Sequence, residues 1–139
     1  MMMDMERPLP QPTKTTEPFW RAAREHRLEL QRCKRTGRAI FYPRPVCPEH
    51  LSADCLEWFT ASGRGKVYSF TRIHQAMHPA FTSWVPYIFA IVELEEGVRM
   101  ATNIVECGMD EVSCDMAVEV VFEDVNAEIS LPKFRPVRR

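Results

Sequence analysis

Two cysteines and a histidine are spaced as metal ligands in the first half of the chain. The pattern runs Cys33-x2-Thr36-x10-Cys47-x2-His50. A zinc ribbon takes four ligands from two tight turns of this spacing, and the turns bring them to one tetrahedral ion. The spacing therefore predicts a zinc ribbon in which Cys33, Cys47 and His50 are the candidate ligands.

Thr36 departs from this pattern, because a neutral hydroxyl is a poor ligand for zinc. Either Cys55 or His26 completes the ligand set, or the ribbon has lost its metal and is held together by apolar packing. Of these alternatives, the sequence favours a degenerate ribbon without metal over a zinc-bound one. A catalytic zinc with an open fourth position is the least favoured.

The elements that must position these residues begin with a short helix. Thr16 is a suitable N-cap and Pro18 suits the first turn, so a helix is expected over residues 17–26. Alternating apolar residues predict strands over 28–33 and 39–42. We therefore expect a flexible lead-in over residues 1–16, followed by a helix and ribbon module over residues 17–54.

From residue 55 onward the pattern changes to strands and turns. Alternating or apolar runs predict strands over 56–60, 66–74, 87–94, 98–105 and 117–123. A small antiparallel barrel over residues 55–139 is the economical arrangement, because closure removes exposed strand edges. The uncharged run 73–92 contains two prolines, so we interpret it as two strands around a loop rather than a membrane helix. The fold class is thus mainly β.

The formal net charge of −1 hides an asymmetry along the chain. Residues 20–50 carry a net charge of +5, whereas residues 93–128 carry −10. Because this second segment is strongly acidic, it repels phosphate backbones, and we expect no nucleic-acid partner. The N-terminal residues lack the pattern of a secretory signal, and five cysteines without one suggest a reducing, cytoplasmic setting and no membrane association.

Several short segments then occur in a characteristic order. They are Phe19-Trp20, Leu30-Gln31-Arg32-Cys33, the run 41–48, the run 62–71, the hairpin 86–99 and Leu131-Pro132-Lys133-Phe134-Arg135-Pro136. Through them, from about Glu17 to Pro136, the chain resembles the zinc-ribbon plus OB-fold proteins that accompany thiolases and other acyl-CoA enzymes. The resemblance implies a rubredoxin-like ribbon followed by an OB-fold barrel.

The resemblance also implies a non-catalytic accessory subunit. Such a subunit docks on a thiolase-fold enzyme, of thiolase, acyltransferase or aldolase type, or on a related acyl-CoA enzyme, and helps to hold or channel the acyl-CoA thioester. It carries over no catalytic residue, and of the metal ligands only Cys33, Cys47 and His50. An autonomous acyl-CoA-binding protein is the alternative, and an OB-type nucleic-acid module is a third hypothesis.

Five residues are candidates for contact with acyl-CoA or a partner. They are Trp20, Arg24, Arg72, His74 and Trp84. Guanidinium groups suit the phosphates of coenzyme A, and an exposed tryptophan is a common interface anchor. The alternative is that the aromatic residues cover the barrel's own core and that Arg72 makes a surface ion pair.

Overall fold

The computed structural model describes residues 7–138. One helix and eight strands follow in the order α1 (Glu17–Arg24), β1 (Glu29–Cys33), β2 (Ala39–Ile40), β3 (Leu56–Thr60), β4 (Arg64–Ile73), β5 (Tyr87–Leu94), β6 (Arg99–Ile104), β7 (Ala117–Asp124) and β8 (Ser130–Pro136). This confirms the mainly β class with an N-terminal helix. Residues 1–6 of the expected lead-in lie outside the described residues.

The ribbon is built on a three-stranded sheet in the order β2-β1-β3. Both pairings are antiparallel, and the β1–β3 register places Cys33 opposite Leu56. Residues 56–60, expected among the barrel strands, pair in this structure with β1, because they complete its backbone hydrogen bonding. The fifth strand of the barrel is β8, which contains two prolines and was not predicted as a strand.

The other five strands close into a barrel in the order β4-β5-β6-β8-β7. All neighbouring strands are antiparallel except β6 and β8, which pair in parallel at Ile104 and Phe134. Closure occurs where the first part of β4 pairs with β7. This is the strand order of an OB-fold barrel, as the resemblance implied.

The larger of two apolar clusters joins the helix, the ribbon and the barrel. Phe19 of α1 and Leu30 of β1 are buried in the same cluster as Val67, Val92 and Phe134 of the barrel. A second, smaller cluster consists of the three cysteines Cys33, Cys47 and Cys55, with Ile40 and Leu56 packed against it. The ribbon is therefore held to the barrel by buried apolar contacts.

The uncharged run 73–92 forms the loop between β4 and β5 together with most of β5. A short 3-10 turn, Pro79–Phe81, lies within this loop, and the Nδ1 of His78 accepts a hydrogen bond from the backbone of Ala80. Among residues 7–138, no helix has the length and apolar character that crossing a membrane requires.

Candidate functional site

Four ligands of the types that bind zinc meet beside the ends of β1 and β3. The Sγ atoms of Cys33, Cys47 and Cys55 and a ring nitrogen of His50 all lie within 4.8 Å of one another. Nδ1 of His50 is 3.4 Å from the Sγ of Cys33 and 3.5 Å from the Sγ of Cys47. The three cysteines are buried, so the ribbon encloses the cluster.

Two tight turns present Cys33 and Cys47 to the cluster. The backbone N–H of Gly37 donates to the carbonyl of Cys33, and that of Leu51 donates to the carbonyl of Cys47, each at 2.7 Å. Gly37 and Leu51 both adopt left-handed backbone conformations, with φ of 73° and 53°. The turns are thus the two knuckles that the spacing predicted.

Cys55 is brought to the cluster by strand pairing rather than by a knuckle. It directly precedes Leu56, which lies opposite Cys33, and its carbonyl accepts a hydrogen bond of 2.7 Å from the N–H of Lys34. His26, the other candidate fourth ligand, instead lies 2.8 Å from Asp124 at the barrel. The prediction of a metal-free ribbon rested on the missing fourth ligand, and Cys55 removes that reason.

Thr36 lies beside the cluster and acts on Cys33 through hydrogen bonds. Its hydroxyl is the largest of the effects that lower the pKa of Cys33 to about 6, and the backbone amides of Thr36 and Arg35 add to it against the opposing effect of burial. Burial raises the pKa of Cys55. The lowered pKa of Cys33 favours its thiolate, which is the form that binds a cation.

The donor set fits a structural zinc ion. Three thiols and one imidazole form the Cys3His set that closed tetrahedral sites use, with every position taken by the protein. Cys33, Cys47, Cys55 and His50 would hold the ion, and the ion would supply cross-linking of the two knuckles to β3 rather than Lewis-acid chemistry.

A second candidate site is a groove between α1, the ribbon and the barrel, which we call the α1 groove. It consists of a cavity of 380 Å³ and an adjoining cavity of 240 Å³. Both cavities are lined by Phe89, Asn103, Leu131 and Lys133. The larger cavity is also lined by Phe19, Trp20 and Tyr42, and the smaller cavity is also lined by Arg7, Phe81 and Trp84.

The predicted contact residues are divided between different surfaces. Trp20 and Trp84 line the two cavities of the α1 groove. Arg24 lines a neighbouring surface depression. The Nε of Arg72 donates to the carbonyl of Met109 at 3.1 Å, and its Nη2 lies 3.8 Å from the Oδ1 of Asp110. His74 is exposed, and neither Arg72 nor His74 lines the groove. Trp20 and Trp84 therefore line the same groove, and Arg24 shares the neighbouring depression with Trp20.

Sequence reasoning missed Lys133 as a groove residue and did not commit to Cys55 as a ligand. The available signal for Lys133 is that it is the lone charge between apolar neighbours, Leu131-Pro132 and Phe134. For Cys55, the signal is a third cysteine directly before a strand, which becomes informative only once that strand is known to pair with β1.

Two family models match the chain. The model of the ChsH2 rubredoxin-like zinc ribbon domain matches residues 20–49, and the model of the ChsH2 C-terminal OB-fold domain matches residues 58–123. A "DUF35 domain-containing scaffold protein" of Methanocaldococcus jannaschii is 36% identical over 110 residues, which are 78% of this chain and 77% of that protein. The chain belongs to the DUF35 family.

Two further matches are named for enzymes. A "probable enoyl-CoA hydratase alpha subunit" of Thermomonospora curvata is 40% identical over 85% of this chain. This chain spans only 36% of that protein's length. The solved structure of the "Ltp2-ChsH2(DUF35) aldolase" superposes with a TM-score of 0.80 and 35% identity, covering 92% of this chain and 98% of that one.

These DUF35 matches confirm the resemblance stated from the sequence. The ribbon and the OB-fold barrel are each matched by a family model, in the order that the structure shows. The archaeal relative is named a scaffold protein.

Proposed function

We propose that this DUF35 chain is a non-catalytic scaffold subunit that docks on a thiolase-fold acyl-CoA enzyme and helps to hold the acyl-CoA thioester. The observation that carries the proposal is the superposition on the DUF35 chain of an aldolase complex over nearly the full length of both chains. The partner would supply the nucleophile and the base, while this chain would supply binding surface.

Exposed apolar side chains support the docking role. Leu51, at the tip of the second knuckle, and Met77, in the loop between β4 and β5, are respectively 78% and 93% exposed. Tyr42 and Val46 of the ribbon are exposed as well. Apolar side chains that a folded chain leaves in water are candidates for burial in an interface.

We also propose that the ribbon binds a structural zinc ion through Cys33, Cys47, Cys55 and His50, and that the protein works in the cytoplasm. All five cysteines are free thiols. A cluster of unbridged thiols needs a reducing compartment to persist, which supports the cytoplasmic setting. A bound ion would hold the knuckle that carries Leu51 in one orientation toward the partner.

Affinity purification from the native host, followed by mass spectrometry and size-exclusion chromatography, tests the docking role. We expect an acyl-CoA enzyme of the thiolase fold in a fixed ratio to this chain. Leu51→Ser and Met77→Ser should reduce its recovery, whereas Val137→Ser, an exposed apolar residue of the C-terminal tail, should leave it unchanged. Turnover of a thioester by the purified chain alone would contradict the proposal.

Thioester binding needs a separate measurement on the purified partners. Titration of coenzyme A onto the complex, onto the partner and onto this chain should give the tightest binding for the complex. Equal affinity for this chain alone would instead favour the alternative, an autonomous acyl-CoA-binding protein. Salt-sensitive binding of single-stranded oligonucleotides would favour the nucleic-acid hypothesis.

A further inference from the structure

The α1 groove occupies the part of the barrel that OB folds commonly use for ligands. Its floor is formed by Phe89 of β5 and Asn103 of β6, the second and third barrel strands. Trp84 closes one end from the loop between β4 and β5, the first loop of the barrel. In OB folds this face and this loop bind ligands of several chemical classes.

The size and lining of the groove suit a small molecule. Its larger cavity, at 380 Å³, lies within the range of about 300–1,000 Å³ that is typical of ligand sites. Phe19, Trp20 and Tyr42 form an aromatic wall on the α1 and ribbon side, and Met100 lies on the barrel side. Such a lining favours a flat, ring-containing ligand over a polar one.

Lys133 places a positive charge where the two cavities meet. Its side chain is only 12% exposed, and its Nζ donates a hydrogen bond to the Oδ1 of Asn103. An ammonium group has three donors, so donors remain for a ligand. Burial of a cation is costly without a close anion, and burial indeed lowers the pKa of Lys133.

The nearest carboxylate does not neutralise Lys133 fully. Oε1 of Glu123 is 4.0 Å from the Nζ of Lys133, whereas Oε2 of the same residue is 3.1 Å from the guanidinium of Arg7. Arg7 also lies over the ring of Trp84, at 4.3 Å from its centroid. Two cations therefore share one carboxylate at this end of the groove, leaving an excess of one positive charge.

We propose that the α1 groove binds a compact aromatic or alicyclic carboxylate, with its ring in the larger cavity and its carboxylate on the Nζ of Lys133. This inference goes beyond the scaffold role and does not depend on it. A monoanion matches the single excess charge. A phosphate dianion or an oligonucleotide requires more cations than Lys133 and Arg7 provide, and Asp124 and Glu128 make the β7–β8 region acidic.

The test compares two probes of the same shape that differ in charge. Isothermal titration calorimetry would measure naphthoate, its neutral analogue naphthamide, and acetate as a carboxylate without a ring. We expect naphthoate to bind at least about tenfold more tightly than naphthamide, because only the carboxylate makes a charge-assisted hydrogen bond to the Lys133 amine. It should also bind more tightly than acetate, which has the charge but no ring to bury in the cavity. Equal affinities for naphthoate and naphthamide would overturn the proposal.

Three variants locate the binding. Lys133→Met should weaken naphthoate about tenfold or more and leave naphthamide within about twofold. Lys66→Met, on the half-exposed Lys66 of β4, is the matched control and should change neither. Ala101→Phe, at an exposed groove residue, should abolish binding of both by filling the cavity. Unchanged naphthoate binding in Lys133→Met, or its displacement by an oligonucleotide, would overturn the assignment.

Discussion

The side-chain amide of Gln31 holds the backbone of Arg44 at both of its polar groups. Nε2 of Gln31 donates to the carbonyl of Arg44 at 2.9 Å, and Oε1 accepts from its N–H at 2.7 Å. Gln31 lies on β1 and is only 4% exposed, whereas Arg44 belongs to the irregular segment before Cys47. This pair therefore connects the sheet that carries Cys33 to the segment that carries Cys47.

Replacing Gln31 tests the importance of that connection. Gln31→Met keeps the side chain's length but removes both hydrogen bonds, and each is worth about 0.5–1.5 kcal/mol net. We expect the free energy of unfolding to fall by about 1–3 kcal/mol, measured by urea denaturation. Gln75→Met, at an exposed position of the β4–β5 loop, is the control and should change it by less than about 0.5 kcal/mol.

The metal content of purified variants tests the ligand set. We expect about one zinc ion per chain in the parent protein, because four ligands suffice for a closed site. Cys55→Ser should lose most of the zinc, whereas Cys114→Ser, which changes an exposed cysteine, should keep it. Full zinc retention in Cys55→Ser, measured by elemental analysis, would show that Cys55 is not a ligand.

Thr36→Ala should change the pH dependence of metal binding rather than the ligand set. The Thr36 hydroxyl is the largest contribution to the lowering of the Cys33 pKa to about 6, so its removal raises that pKa toward the ordinary value of 9.0. Protons then compete with the metal at higher pH. The pH at which half the zinc is released should therefore rise, as measured with a zinc indicator dye. An unchanged release midpoint would contradict the role of Thr36.

Gly65 is required by the close approach of two barrel strands. A Cβ atom at this position would lie 2.5 Å from the carbonyl oxygen of Glu93 and 2.9 Å from Cγ1 of Val92. Gly65→Ala should cost about 1–3 kcal/mol, since backbone atoms must move. Gly108→Ala is the control, because its nearest contact would be an ordinary 3.5 Å from Glu111. Equal melting temperatures for the two variants would contradict this explanation.

The parts of the fold that follow local pattern could be predicted, and the parts that depend on pairing could not. Alternating or continuous apolar runs located the strands that became β4 to β7, and the knuckle spacing located Cys33, Cys47 and His50. Residues 56–60 also alternate, but alternation does not reveal which sheet a strand joins. Their pairing with β1 is what brings Cys55 to the cluster.

The α1 groove was beyond sequence reasoning for a related reason. Its lining comes from α1, the ribbon, β5, β6 and β8, and these elements lie far apart along the chain, from Phe19 to Lys133. Trp20 and Trp84 were predicted as contact residues from their type alone. Lys133 was not, because a lysine in a terminal strand is ordinarily exposed and only the closed barrel shows it to be buried.

The burial of Lys133 leads to a prediction about stability and pH. Burial lowers the pKa of Lys133 below its ordinary value of 10.5, with Arg7 adding to this effect and Glu123 opposing it. Between the lowered pKa and 10.5 the unfolded chain binds more protons than the folded one, so this lysine makes stability rise with pH. Lys133→Met removes the buried charge, so the stability of the variant should lack this contribution that increases with pH.

This effect can be measured by urea denaturation of the parent protein and of Lys133→Met, at neutral pH and at about pH 10. We expect the variant to be the more stable protein at neutral pH, and its advantage to shrink at the higher pH as the parent's lysine is deprotonated. Lys66→Met, at a half-exposed lysine, should show no such shrinking difference. Only a lowered pKa couples the proton of Lys133 to folding. If the difference in free energy of unfolding between the parent protein and Lys133→Met stayed constant across this pH range, Lys133 would keep an ordinary pKa in the folded chain.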